Sequence, residues 1–371
     1  MIDTQNNIEV KLEVTKTTSR LSNFELLRII SMLCIITSHY AFHGGVAQMG
    51  SYTNSIVGRC LTIGGGLGVN CFIMISSWFL IDSKFKFRSL LKIVFETFFY
   101  SIIIELIFKY FNLANISLFD LIKSFAPITF NRYWFVTSYV CLYLISSFIN
   151  IYISQLNFKQ YKSLMIVLTI CVVVYVPHLQ LNPFKWGVWE GSIIWFVYLY
   201  LLIGYYKLHG IKLLDKCSLV SFFATFFAIC SYIVSTNILA KYKFISYPGD
   251  FYLSYNSILM LICCLSLFSI FRKIRIKSHF INTVASTAFG VYLIHDCVFR
   301  SYLWHDIVKT QNYYFSDYLL LHVFLTVMAI YAVCSLIDYL RMQTIERFFF
   351  VLYDKYFTKI SYKIDSFFNI K

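Results

Sequence analysis

The chain has 371 residues, of which 59% are hydrophobic, 20% aromatic and 13% Asp, Glu, Lys or Arg, with a formal charge of +14. A soluble domain carries about a quarter charged residues and turns much of its surface to water, so a soluble enzyme, a disordered chain and a coiled coil are excluded. The basic residues cluster between apolar runs, as in membrane loops facing anionic lipid, so membrane lipids rather than nucleic acid are the expected partner.

A spanning helix needs roughly 20 mostly apolar residues, and ten such runs follow one another: 24–42, 61–81, 93–111, 133–152, 163–180, 192–208, 217–237, 251–271, 281–301 and 318–340. The expected fold is an all-α integral membrane bundle of about ten transmembrane helices. The first 20 residues are polar, so 24–42 reads as an uncleaved anchor and not a signal peptide. With this layout 22 basic residues fall on one side and 8 on the other, which places both termini in the cytoplasm. Residues 1–23 then form a cytoplasmic segment, 24–340 the transmembrane domain, and 341–371 a cytoplasmic juxtamembrane tail whose alternating aromatic and basic residues fit an interfacial helix.

The first run carries Glu25, Arg28 and His39, and ionisable groups inside a span are functional candidates. Eleven residues separate Arg28 from His39, which at about 100° per residue puts both on one face, some 16 Å apart along the axis. Glu25 lies three residues before Arg28 and can pair with it. By themselves these groups also fit a second reading, in which Glu25 and Arg28 snorkel to the inner headgroups and His39 marks the outer interface. The glycines at 64–68 lack a following Gly-Lys-Ser/Thr, so they suit close helix packing and not a phosphate loop. In the run 281–301, His295 lies about as deep as His39 does in 24–42. Tyr292, three residues back, shares its face, and Asp296, the next residue, points elsewhere. The layout brings Trp134, Trp186, Trp189 and Glu190 to the same outer boundary. His178 and His305 fit interface anchors. Eleven cysteines without a C-x-x-C pair, and the lack of an H-x-x-E-H signature, give no reason to expect a bound metal.

Five stretches in register resemble the membrane acyltransferase 3 family of bacterial cell-surface glycan O-acyltransferases. They are Arg28-x10-His39, GGGLGVNCFIMISSWFL at 64–80, YWFVTSYVCLYLISSFIN at 133–150, WFVYLYLLIGYY at 195–206 and STAFGVYLIHD at 286–296. Two positions depart from that pattern: Lys92 follows Arg88 and Leu91 where the family often has an Arg-x-x-Arg pair, and Ser147 replaces a usual proline.

The resemblance implies an acyl-CoA donor, acetyl-CoA in the simplest case, with no tightly bound cofactor. It implies a sugar hydroxyl of a cell-surface glycan or its lipid-linked precursor as acceptor, and a multi-pass location in the bacterial plasma membrane. Transfer to an alcohol needs a base, a role that suits His39 as a base or as a transiently acylated group. Arg28 would hold the donor's thioester or phosphates. Arg88, Lys92, Arg272, Lys273 and Arg275 would grip the nucleotide phosphates, or else only set topology and bind lipid. Trp134, Glu190, Tyr292 and His295 would contact the acceptor, with a packing role for His295 equally open. The competing classes are a transporter or flippase for a glycan or lipid-linked sugar, with Arg28 and His39 along its path, and a glycan polymerase or glycosyltransferase.

Overall fold

The computed structural model describes residues 21–175, 193–245 and 251–369, and every regular element among them is helical. Helix α1 (Ser22–Phe42) is followed by α2 (Tyr52–Leu61) and α3 (Ile63–Leu80), then α4 (Phe87–Tyr110), the short α5 (Leu118–Phe125) and α6 (Trp134–Gln155). Next come α7 (Phe158–Thr169), which continues as a π turn over Ile170–Tyr175, then α8 (Ile193–His209), α9 (Lys212–Lys241) and α10 (Ile258–Lys273). The chain closes with α11 (His279–Ser286), α12 (Ala288–His295), α13 (Leu319–Arg341), α14 (Arg347–Tyr356) and α15 (Thr358–Phe368).

Among the described residues, six helical stretches are long and apolar enough to cross a membrane: Ser22–Phe42, Tyr52–Leu80, Trp134–Gln155, Lys212–Lys241, Phe251–Lys273 and Leu319–Tyr356. Ile193–His209 is apolar but shorter. This is a multi-pass membrane protein. Two of the ten expected runs look different in three dimensions. The run 163–180 becomes α7 and its π turn, and its end lies outside the described residues. The run 281–301 is not one helix. It breaks at Thr287, whose hydroxyl bonds back to the Val284 carbonyl and across to Ser335 Oγ, and it stops at His295. Hydroxyl side chains compete with helix hydrogen bonds in this way without proline or glycine to announce it.

Polar residues start several helices. Asn157 and Gln160 form a reciprocal capping box, as do Ser117 and Asp120, while Ser257 and Ser278 accept from Met260 N and Ile281 N. Helix α3 crosses α1 through the glycine run: a Cβ on Gly64 would meet the Cys34 carbonyl oxygen at 2.3 Å, and one on Gly68 the Ser31 carbonyl oxygen at 2.4 Å. With lipid outside instead of water, such close backbone approach is what holds helices together.

A charged knot ties α4, α12 and α13 together. Asp338 is fully buried, accepting from Tyr100 Oη at 2.8 Å and Arg341 Nε at 2.7 Å. Arg341, expected as a flanking charge of the tail, is 4% exposed and also pairs with Glu96 and Glu346. Gly290 makes room for this knot, since a Cβ there would lie 2.1 Å from Asp338 Cγ. The carboxylate is pinned by two partners and cannot swing away. Gly290→Ala should therefore cost on the order of 1–3 kcal/mol through overpacking. The check is thermal unfolding of the detergent-solubilised protein, where an unchanged midpoint would contradict this account.

Candidate active site

One cavity of about 1210 Å³ runs through the bundle, and its wall includes Arg28, Ser38, His39 and His43 from α1 and its C-terminal end. Helices α2 and α3 contribute Arg59, Val69 and Ser76, and α4 contributes Lys92 and Glu96. Trp134 and Tyr139 come from α6, and Tyr292, Asp296 and Arg300 from α12 and the turns after it. Along α1 the wall extends from Arg28 to His43, fifteen residues, or about 22 Å of helix. Arg28 and His39 thus face the same space from different depths, as their spacing predicts. Glu25 lies 3.9 Å from Arg28 Nε and keeps that guanidinium company at the N-terminal end of α1.

At the other end His39 meets His295. The Nδ1 of His39 and the Nε2 of His295 are 3.0 Å apart, and His295 Nδ1 lies 2.6 Å from the Val291 carbonyl oxygen. A carbonyl only accepts, so His295 Nδ1 carries a proton. In neutral imidazoles that leaves His295 Nε2 as an acceptor, filled by the Nδ1 proton of His39. The chain of donors ends on a bare Nε2 on His39, whose ring lines the cavity. His295 is 0% exposed and stands behind His39, not among the cavity-lining side chains.

Asp296 does not point elsewhere. Because α12 ends at His295, Asp296 sits at its C-cap with φ −106° and ψ 28°, and the side chain turns back toward the cluster. Its Oδ1 lies 3.9 Å from His39 Nδ1, 3.8 Å from His43 Nε2 and 3.5 Å from an Arg300 nitrogen. The i, i+4 spacing of His39 and His43 was the available signal, and their rings lie 4.9 Å apart. It is hidden in the sequence because the apolar run ends at Phe42. Tyr292 packs against His295 at 6.4 Å between ring centres, and its hydroxyl has no hydrogen-bond partner among the described residues.

The expected phosphate-gripping residues divide. Lys92 lines the cavity and pairs with Glu346 at 2.6 Å. Arg88 stands outside that wall, bound to Asp354 and stacked 4.5 Å over the Phe350 ring of the tail. Arg272 pairs with Asp215 at 2.6 Å and lies over Tyr206, while Lys273 donates to the Asp215 carbonyl and Ser218 Oγ. These three cations have intramolecular partners that link helices and lie outside the residues lining the cavity, unlike Lys92. Arg275 is exposed between α10 and α11. Trp134 is on the cavity wall as expected, whereas Glu190, Trp186, Trp189 and His178 lie outside the described residues.

A bundle of apolar helices around a cavity lined by Arg28 and Lys92 at one end and His39 and His43 at the other defines a membrane-embedded site. The family model described as an acyltransferase domain, acyltransferase 3, matches residues 21–338. The chain belongs to that family and is a membrane acyltransferase. Comparison with curated proteins and with solved structures gives no match.

Proposed function

We propose that this protein is an integral membrane O-acyltransferase of the bacterial plasma membrane. It moves an acetyl group from cytoplasmic acetyl-CoA to a sugar hydroxyl of a cell-surface polysaccharide, capsule or exopolysaccharide, or of its lipid-linked precursor. The observation that carries this reading is that Arg28 and His39 line the same cavity. The topology that goes with it has ten spans and both termini in the cytoplasm, so that Arg28 and Lys92 face the donor side and His39 the acceptor side.

Each group then has a task. Arg28 and Lys92 hold phosphate or thioester oxygens of the donor, while the extended pantetheine arm covers the distance of about 16 Å to His39. His39 Nε2 takes the acceptor hydroxyl proton as the oxygen attacks the thioester carbonyl. The C–S bond then breaks, and the leaving thiolate regains that proton from His39. Positive charge on His39 in the meantime is balanced by Asp296, 3.9 Å from its Nδ1. The Tyr292 hydroxyl, without a hydrogen-bond partner among the described residues, belongs to a cavity-lining side chain and is assigned as donor to the developing oxyanion. Trp134 offers an aromatic face to the sugar ring.

The guanidinium of Arg28 matters for its planar fork as well as its charge. Arg28→Lys is expected to raise the KM for acetyl-CoA about tenfold, the size of one charge-assisted hydrogen bond, with kcat nearly retained. Steady-state kinetics in membrane vesicles supplied with labelled acetyl-CoA measures this. An unaltered KM would reduce Arg28 to a headgroup anchor.

The reading as a whole is tested by proton NMR of the surface polysaccharide from a deletion strain and its complemented parent. Loss of an O-acyl methyl resonance with the sugar backbone intact supports it. Disappearance of the polysaccharide itself would favour a transporter.

A further inference from the structure

The cluster around the proposed base contains more ligand chemistry than acyl transfer uses. Asp296 Oδ1 lies 3.8 Å from His43 Nε2 and 3.9 Å from His39 Nδ1, and one ligand atom from each of these three residues falls within 4.8 Å of the others. Asp296 is only 5% exposed, yet this oxygen has no hydrogen-bond partner among the described residues. Leaving a buried carboxylate oxygen so poorly satisfied is costly unless something else completes it. A fourth ligand atom is close by. His295 Nε2 is 3.0 Å from His39 Nδ1, and its ring is oriented by the bond from Nδ1 to the Val291 carbonyl. Metal-binding histidines are commonly preset in this way, one nitrogen donating to a carbonyl and the other left bare.

The ligand set chooses the ion. Imidazole nitrogens with one carboxylate suit zinc and its neighbours in the transition series, whereas calcium and magnesium want oxygen ligands. Tetrahedral ligands bound at about 2.0–2.2 Å stand roughly 3.4 Å from one another. The two carboxylate–imidazole separations of 3.8 and 3.9 Å need to contract by a fraction of an ångström, and the two imidazole nitrogens, within 4.8 Å of each other, by up to about 1.4 Å. Arg300, 3.5 Å from Asp296, would have to withdraw, and its side chain is 41% exposed and has room to swing outward.

We propose that His39, His43 and Asp296 form a Zn²⁺ site entered through the cavity, and that filling it switches acyl transfer off. The regulatory half rests on the acyltransferase reading above, while the site itself rests on geometry alone. Coordination requires the lone pair of His39 Nδ1, so the single proton of that neutral ring moves to Nε2. No proton is lost or gained, but Nε2 becomes a donor and can no longer accept the proton of an attacking hydroxyl. The metal thereby silences the base without touching the donor-binding end of the cavity.

The full-length protein, purified in detergent and stripped with a chelator, is titrated with zinc chloride by calorimetry and assayed in parallel with labelled acetyl-CoA. The expected result is a single saturable site of micromolar or tighter affinity. Activity should be lost over the same concentrations and restored by chelator. Asp296→Asn and His43→Gln should each weaken zinc binding at least tenfold. His43 is on the cavity wall, so its variant serves if the buried Asp296→Asn fails to accumulate. No saturable zinc site, or one that neither substitution weakens, overturns the proposal. Zinc bound at these residues with rising activity refutes the switch and leaves the site. Zinc bound there while the metal-free protein transfers no acetyl group from acetyl-CoA upholds the site and sinks the proposed acetyl transfer instead.

Discussion

His39→Ala is expected to lower acyl transfer by about 10²- to 10⁴-fold, the usual contribution of a positioned general base. Protein level and glycan length should stay at their parental values. The size of the effect follows from the geometry. Among the cavity-lining imidazoles, only His39 has its Nδ1 within hydrogen-bond distance of His295, so that its Nε2 is left bare for an incoming hydroxyl. The side chain reaches into the cavity, so truncating it opens space and leaves no buried partner stranded except His295 Nε2. The measurement is ester content of the purified polysaccharide together with its chain length. Ester content near the parental level would remove His39 from the chemistry. Shortened or missing glycan would transfer the assignment to export or polymerisation, because loss of ester alone leaves the sugar backbone intact.

His295→Leu carries the second large effect. His295 is 0% exposed and contributes no cavity wall, so it acts on the reaction only through His39. Leucine keeps the packing volume but offers no acceptor to the Nδ1 proton of His39. That ring is then free to take the other tautomer or to turn, and kcat should drop about 10²-fold. The KM for acetyl-CoA should hold, since Arg28 and Lys92 at the other end of the cavity are unaffected. His295→Gln, whose amide oxygen can accept from His39, should recover part of the loss. That recovery distinguishes a positioning role from simple packing. If the leucine variant keeps parental kcat, or if His295→Gln accumulates to the parental level and recovers nothing, the hydrogen-bond chain from His39 through His295 to the Val291 carbonyl has no part in catalysis.

The residues legible in the sequence were those whose neighbours are close along one helix. Arg28 and His39 share a face because of the helical repeat, and the cavity wall includes both. The glycines at 64–68 were readable as a packing surface, and Gly64 and Gly68 indeed lie against the backbone of α1. Asp296 was misread for an equally local reason. One residue past His295 means the opposite side of a continuous helix, but α12 ends at His295 and the carboxylate folds back. Arg88, Arg272 and Lys273 looked like free cytoplasmic cations because their partners Asp354 and Asp215 lie 266, 57 and 58 positions away. Charge counting along loops cannot see such pairs.

What the sequence determined by itself was the solvent and the repeat. Apolar runs of spanning length dictate a helical membrane protein, because backbone polar groups in lipid must be satisfied within the segment. The 3.6-residue repeat then fixes which charges of one helix face together. Only the tertiary structure decided how His39 meets a residue 256 positions away, because that contact depends on where α12 breaks and stops. The break before α12 comes with the Thr287 hydroxyl bonding the Val284 carbonyl and Ser335, and Gly290 lets α12 pack against the buried Asp338. Each is a balance between a local bond and a distant partner, and a distant partner exists only once the helices have packed.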